Sequence, residues 1–141
     1  MNDLTRIIQL PEVIDQRGSL SFFESNNHIP FNIKRTSILT DLSTFKEKDY
    51  ACKNQEEFLV VLSGSVNIRI RKRDFDGVFL LNKPNFGLYI PKMAWRSVVN
   101  FSPNSILLVL GSDTNKENQY IKDFNEYLRI LDNEKEYHRE L

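Results

Sequence analysis

The stretch that most constrains this chain runs from Asp49 to Gly64. It reads as a short strand around Tyr50-Ala51-Cys52, a polar break, the apolar run Phe58-Leu59-Val60-Val61-Leu62, and a turn at Ser63-Gly64. A short apolar run bounded by polar and Gly positions has the length and the branched residues of a buried strand. The next segment alternates, with Val66, Ile68 and Ile70 on one face and Asn67, Arg69 and Arg71 on the other. That period of two marks a strand with one buried and one solvated face.

Similar signals recur along the chain. Leu4 to Leu10 is rich in branched residues and ends at Pro11, and Asp15-Gln16-Arg17-Gly18 is a turn signal. Ser19 to Glu24 and Ile33 to Leu39 read as further strands, separated by the loop-like Ser25 to Pro30, and Asp41 to Lys48 as a polar connection. Asp76-Gly77 is a hairpin signal leading into Val78 to Leu81, and Pro84-Asn85-Phe86-Gly87 a second turn before Leu88-Tyr89-Ile90. Trp95 to Phe101 and the apolar run Ile106 to Leu110 complete the strands. Tyr120, Ile121, Phe124, Tyr127, Leu128 and Leu131 then recur at helical spacing, which predicts an amphipathic helix over about residues 117–132 with a charged, frayed end beyond Asn133. Nine or ten short strands followed by one helix predict an all-β sandwich or barrel. At 141 residues the expectation is one domain, with the barrel over about 4–112.

Charge narrows the partners. Lys plus Arg and Asp plus Glu balance at 19 each, which argues against nucleic acid as a partner, since phosphate backbones select a basic field. A small anion held by one or two Arg remains open. The single cysteine, Cys52, forms no disulfide framework and points to a reducing compartment, the cytoplasm. Met1 to Arg6 lacks a signal-peptide pattern, and no apolar stretch approaches the roughly 20 residues of a membrane helix.

Two spacings resemble the paired signatures of a cupin, a small jelly-roll barrel. Tyr50, Cys52, Glu57 and Gly64 stand at the spacing of the first signature, and Pro91, Arg96 and Asn100 at that of the second. More closely, the chain resembles the WxcM-like cupins that act as TDP-4-keto-6-deoxyglucose 3,4-ketoisomerases. The resemblance rests on Asp15-x-Arg17-Gly18-Ser19-Leu20, Ile33-Lys34-Arg35, Glu57 to Gly64, Gly87-Leu88-Tyr89-Ile90, Ala94-Trp95, Asn100-Phe101-Ser102, Leu110-Gly111-Ser112-Asp113 and Tyr120-Ile121-x-Asp123-Phe124, from about residue 5 to 130. It implies a double-stranded β-helix closed by a C-terminal helix, and a homodimer with exchanged N-terminal strands. It also implies a role in surface polysaccharide or glycan biosynthesis, with a TDP-linked 4-keto-6-deoxyhexose as ligand. It places Tyr50, Cys52, Glu57 and Arg96 at the catalytic positions and Arg17, Gly18, Arg35, Tyr89 and Trp95 in contact with substrate, with Arg17 on the diphosphate.

Tyr50, Cys52 and Arg96 stand where the resemblance leads one to expect His, and His28 and His138 lie outside those slots. Isomerisation through an enediol needs a group that takes and returns a proton near neutral pH, the usual task of His. Tyr50 or Cys52 could serve only with a strongly lowered pKa, and Arg96 cannot act as a base. A Tyr, Cys, Glu and Arg set is also too poor in ligands for a zinc site, so neither metal nor cofactor is expected.

Three roles stay open: a 3,4-ketoisomerase, a catalytically silent nucleotide-sugar-binding or partner cupin, and a cupin using Tyr50 or Glu57 on another substrate. If Arg96 and Glu57 both face inward, pairing would offset two buried charges; alternatively Arg96 holds an anionic ligand. Cys52 reads first as a small buried hydrophobe, Trp95 as packing, and Tyr89 as either core or pocket wall. Arg17 either grips a diphosphate or caps its turn through Asp15. Of Lys34 and Arg35, successive in a strand, one faces the interior.

Overall fold

A computed structural model describes residues 4–44, 49–114 and 119–140, with side chains as far as 134. Part of the connection expected over Asp41 to Lys48, and the His138 side chain, lie outside the described residues. In chain order the strands are β1 (Arg6–Gln9), β2 (Glu12–Asp15), β3 (Gly18–Ser21), β4 (Arg35–Leu39), β5 (Ala51–Cys52), β6 (Glu57–Ser63), β7 (Val66–Lys72), β8 (Phe75–Leu81), β9 (Phe86–Ile90), β10 (Trp95–Phe101), β11 (Ile106–Gly111) and β12 (Tyr120–Ile121), followed by helix α1 (Phe124–Glu140). The short β5 and β12 are among those that take the number past the nine or ten read from the sequence.

The strands form two facing walls. One is a five-stranded antiparallel sheet in the order β1-β9-β6-β11-β4. The other is built from β10-β7-β8 and the pair β12-β5, joined where Tyr50 and Arg96 exchange backbone hydrogen bonds of 3.1 and 3.0 Å. Between the walls lies a core of Leu59, Val61, Leu88, Ile90, Leu107 and Val109 from the first and Val66, Ile68, Ile70, Leu81 and Val98 from the second. The alternation read in β7 is realised: Val66, Ile68 and Ile70 are fully buried. Each such side chain contributes about 1.5–3 kcal/mol relative to exposure. The result is the expected jelly-roll barrel.

The apolar runs in β6 and β11 are continuous because both of their faces are covered. Phe58, Val60, Leu108 and Leu110 face outward and pack under Leu10, Ile29 and Phe31. Gly64 turns β6 into β7 with φ +80, where a Cβ would sit 2.5 Å from the Ser102 hydroxyl oxygen; the turn therefore requires Gly on both counts.

Two local expectations are corrected. Asp76-Gly77 is not the hairpin turn, because Arg73 and Asp74 turn the chain and Asp76 and Gly77 pair with Arg71 and Ile70 inside the β7–β8 ladder. The register is set by the apolar face of β7 and by Arg69, whose guanidinium donates to both Asp76 carboxylate oxygens at 2.9 and 2.7 Å. Helix α1 starts at Phe124 rather than near 117, because Tyr120 and Ile121 pair with Cys52 and Ala51 as a strand. Asp123 then caps the first turn by accepting the Asn125 amide at 2.8 Å, and the helix runs to Glu140.

Candidate functional site

Strand alternation places Glu57 on the inward face of β6 with Leu59 and Val61, and Arg96 on the inward face of β10 with Val98. Tyr50 is opposite Arg96 in the bridge between β5 and β10, so the two side chains share that face. The three meet inside the barrel. The Arg96 Nε lies 2.9 Å from Glu57 Oε1, the Tyr50 hydroxyl donates to Glu57 Oε2 at 2.7 Å, and Arg96 Nη2 donates to the Tyr50 oxygen. The guanidinium also lies 3.9 Å from the Tyr50 ring centroid. Arg96 and Glu57 are only 2 % and 3 % exposed, so the ion pair expected from the sequence is formed where solvent cannot screen it.

Electrostatics fix the protonation of Arg96 and Tyr50. Burial alone would lower the Arg96 pKa, but the Glu57 charge and the Tyr50 oxygen outweigh it and the pKa is raised, so the guanidinium stays charged. Burial pushes the Tyr50 phenol well above its ordinary value, with Arg96 opposing and Glu57 adding to the rise. Cys52, two residues on, shares the inward face. Burial, then Glu57, push its thiol far above the ordinary range, which leaves it protonated and inert near neutral pH.

At the same end of the barrel, Arg35 of β4 donates from Nη1 to the Tyr120 hydroxyl oxygen at 2.5 Å. The Tyr120 ring stands edge-on to Tyr50 with centroids 5.0 Å apart. Of the Lys34–Arg35 pair, then, Arg35 faces the interior. Gln55, only 2 % exposed, places its amide nitrogen 3.7 Å from the Cys52 sulfur; a Cβ on Gly111 would come within 2.5 Å of its side-chain oxygen. Sequence reasoning missed Gln55 and Tyr120. Tyr120 had been absorbed into the helical stripe, and its true signal is its register opposite Cys52.

The other expected contacts are not brought to this cluster. Trp95 points the opposite way from Arg96, donates to the Ser97 hydroxyl at 3.0 Å and packs edge-on to Phe124 beneath α1. Tyr89 lies on the outer face of the first sheet, its hydroxyl donating to Glu56 at 2.5 Å and Arg6 stacked over its ring. Arg17 and Gly18 form the exposed tip of the β2–β3 hairpin, where Arg17 Nη2 pairs with Asp15 Oδ2 at 2.6 Å; this matches the turn-capping role. His28 accepts the Glu24 amide in the loop before β4. Among the described residues no group of three or more His, Cys, Asp or Glu is arranged to hold a metal. Beside the end of the barrel where β6 begins and β11 ends lies a cleft of about 470 Å³ whose lining includes Lys34, Lys92, Asn54, Glu56 and Ser112.

The pair should behave as one unit. Arg96→Met strands the Glu57 carboxylate and should cost about 3–5 kcal/mol of unfolding free energy, measured by urea denaturation. Adding Glu57→Gln should restore much of that loss. A double variant that loses the sum of the two single costs would contradict the coupling.

Against this geometry, the chain matches the family described as FdtA: WxcM-like, C-terminal, over residues 3–132. It is 33% identical over 135 residues to the TDP-4-oxo-6-deoxy-alpha-D-glucose-3,4-oxoisomerase of Aneurinibacillus thermoaerophilus, covering 93% of this chain and 97% of that protein. Among solved structures it resembles the WlaRB TDP-quinovose 3,4-ketoisomerase of Campylobacter jejuni, with 39% identity, a TM-score of 0.82, and 89% and 97% of the two chains covered. It also resembles QdtA, a sugar 3,4-ketoisomerase from Thermoanaerobacterium thermosaccharolyticum solved with TDP (31% identity, TM-score 0.83, 92% and 96% covered) and, as a variant, with TDP-4-keto-6-deoxyglucose. Sequence match and shape agree over nearly the whole barrel, and on that agreement the chain belongs to the WxcM-like FdtA family of cupin-fold proteins.

Proposed function

We propose that the protein binds a TDP-linked 4-keto-6-deoxyhexose at the Arg35–Tyr120 end of its barrel and isomerises it to the 3-keto sugar, supplying a deoxysugar for a surface polysaccharide or glycan. The observation that carries this reading is the Tyr50–Glu57–Arg96 triad, with Glu57 and Arg96 buried and Tyr50 half-buried, in the barrel of a chain whose relatives bear such names. Tyr50 gives its proton to Glu57 and receives one bond from Arg96, so one lone pair of its oxygen is left for substrate. As Tyr50 takes the C3 proton it passes its own to Glu57, and never carries the charge that burial opposes. The C3–H electrons form the C3=C4 bond, and the carbonyl electrons move to O4, where the Arg96 charge stabilises them. Return of the proton to C4, as the C3=O bond forms and the O3 proton passes to O4, completes a redox-neutral isomerisation that requires no external oxidant or reductant. Cys52, protonated, has no part in it.

Lys34 and Lys92, which line the rim cleft, are suited to the diphosphate. The β2–β3 hairpin exposes Val13, Ile14 and Leu20 at 54%, 71% and 61%, more apolar surface than an isolated hairpin sustains. We assign it to exchange with a second copy, which carries Arg17 to that partner. The single buried cysteine suits the cytoplasm. A second reading, a silent nucleotide-sugar-binding cupin, draws on the self-satisfied Arg96–Glu57 pair.

Turnover of TDP-4-keto-6-deoxyglucose, followed together with the melting shift caused by TDP, tests the proposal. Isomerisation should occur, and Tyr50→Phe should lower kcat at least about a hundredfold while keeping the TDP shift. Shift without turnover by the wild type would support the silent cupin. Turnover that survives Tyr50→Phe would contradict the residue assignment, and the lack of any TDP shift would contradict both readings. By sedimentation the protein should run as a dimer of the 16.6 kDa chain, and Ile14→Asp should make it a monomer; a monomeric wild type would contradict the exchange.

A further inference from the structure

Moving a carbonyl from C4 to C3 transfers two hydrogens, one between carbons and one between oxygens. The Tyr50–Glu57 pair accounts for the carbon side. The interior holds a second phenol in the complementary state. Tyr120 accepts from Arg35 at 2.5 Å, and its own proton meets no acceptor among the described residues. It stands edge-on to Tyr50, centroids 5.0 Å apart, on the face it shares with Cys52 across the β5–β12 ladder. The two phenols therefore differ in what they offer a ligand. Tyr50 has its proton committed to Glu57 and presents a lone pair. Tyr120 has a lone pair committed to a cation and presents a proton. Arg35 reaches Tyr120 from the opposite wall, so a sugar entering this end of the barrel would meet the Tyr120 hydroxyl beside Tyr50.

We propose that Tyr120, held by Arg35, is the oxygen-side catalytic residue: it donates a hydrogen bond to the sugar keto oxygen, protonates O4 as the C3=C4 bond forms, and takes the O3 proton as C4 is protonated. Over the cycle one hydrogen passes from C3 to C4 through Tyr50 and one from O3 to O4 through Tyr120, and both residues end as they began. Arg35 is the positioning residue, stabilising the phenolate that exists between the two oxygen-side transfers. This inference rests on the function proposed above.

The test compares Tyr120→Phe, which keeps the ring, with the wild type, measuring Kd for TDP and for TDP-4-keto-6-deoxyglucose together with kcat. The wild type should bind the keto sugar nucleotide more tightly than TDP. Tyr120→Phe should cut that preference about tenfold and kcat about a hundredfold, while Kd for TDP stays within about twofold; Arg35→Met should shift both in the same direction. An unchanged preference, or an equal loss for both ligands, would overturn the inference and leave nucleotide binding standing. So would a wild type that binds TDP as tightly as the keto sugar. If the wild type binds both ligands without turnover, the isomerase function fails, and the catalytic role of Tyr120 with it. If it binds neither ligand, the function proposed above fails, and this inference with it.

Discussion

The interaction on which this barrel depends is the buried contact between Arg96 and Glu57. A guanidinium and a carboxylate placed singly in such an interior would each cost several kcal/mol. Together, with the Tyr50 hydroxyl bonded to both, they leave no uncompensated charge. The contact also joins the architecture. Glu57 opens the central part of the first sheet, while Arg96 and Tyr50 form the bridge that ties the β12–β5 pair to β10. The polar cluster thus spans the two walls where their apolar core ends.

Most of the barrel was legible in the sequence because its walls obey local rules. The alternation of Val66, Ile68 and Ile70 against Arg69 and Arg71 can satisfy only one face of a strand. The unbroken runs in β6 and β11 announce strands covered on both sides. The direction of Glu57 stayed open in the sequence, because Phe58 to Leu62 is apolar on both faces; its alternation with Leu59 and Val61, which lie in the core between the walls, decides it. What was not legible depended on pairing between distant segments. Asp76-Gly77 carries a strong turn preference, yet the apolar phase of β7 and the Arg69–Asp76 pair place it within a ladder. Tyr120 and Ile121 fit a helical stripe, and only their hydrogen bonds to β5 make them a strand. Trp95 and Arg96 are neighbours in sequence that serve opposite faces, one beneath α1 and the other inside the barrel.

The same logic separates the site from its surroundings. Residues that the family resemblance groups around a substrate are distributed here over the hairpin tip (Arg17, Gly18), the outer face of the first sheet (Tyr89) and the helix interface (Trp95). Those that converge are Tyr50, Glu57, Arg96, Arg35 and Tyr120. With no imidazole among them, the proposed proton transfer must pass through phenols, and burial disfavours the charged form of Tyr50. That requirement is met when a carboxylate receives the proton on one phenol as another arrives, and when a guanidinium stands beside the other. In the proposed mechanism, chemistry near neutral pH depends on concerted relay rather than on a group that titrates there.

With Glu57 only 3 % exposed, the proposed relay should return the proton it takes before water replaces it, which gives the account its most direct test. Offered TDP-4-keto-6-deoxyglucose deuterated at C3 in ordinary water, the protein should give a 3-keto product in which part of the deuterium has moved to C4, read by proton NMR and mass spectrometry. Product without deuterium at C4, or substrate recovered unchanged by protein that binds TDP, would contradict it.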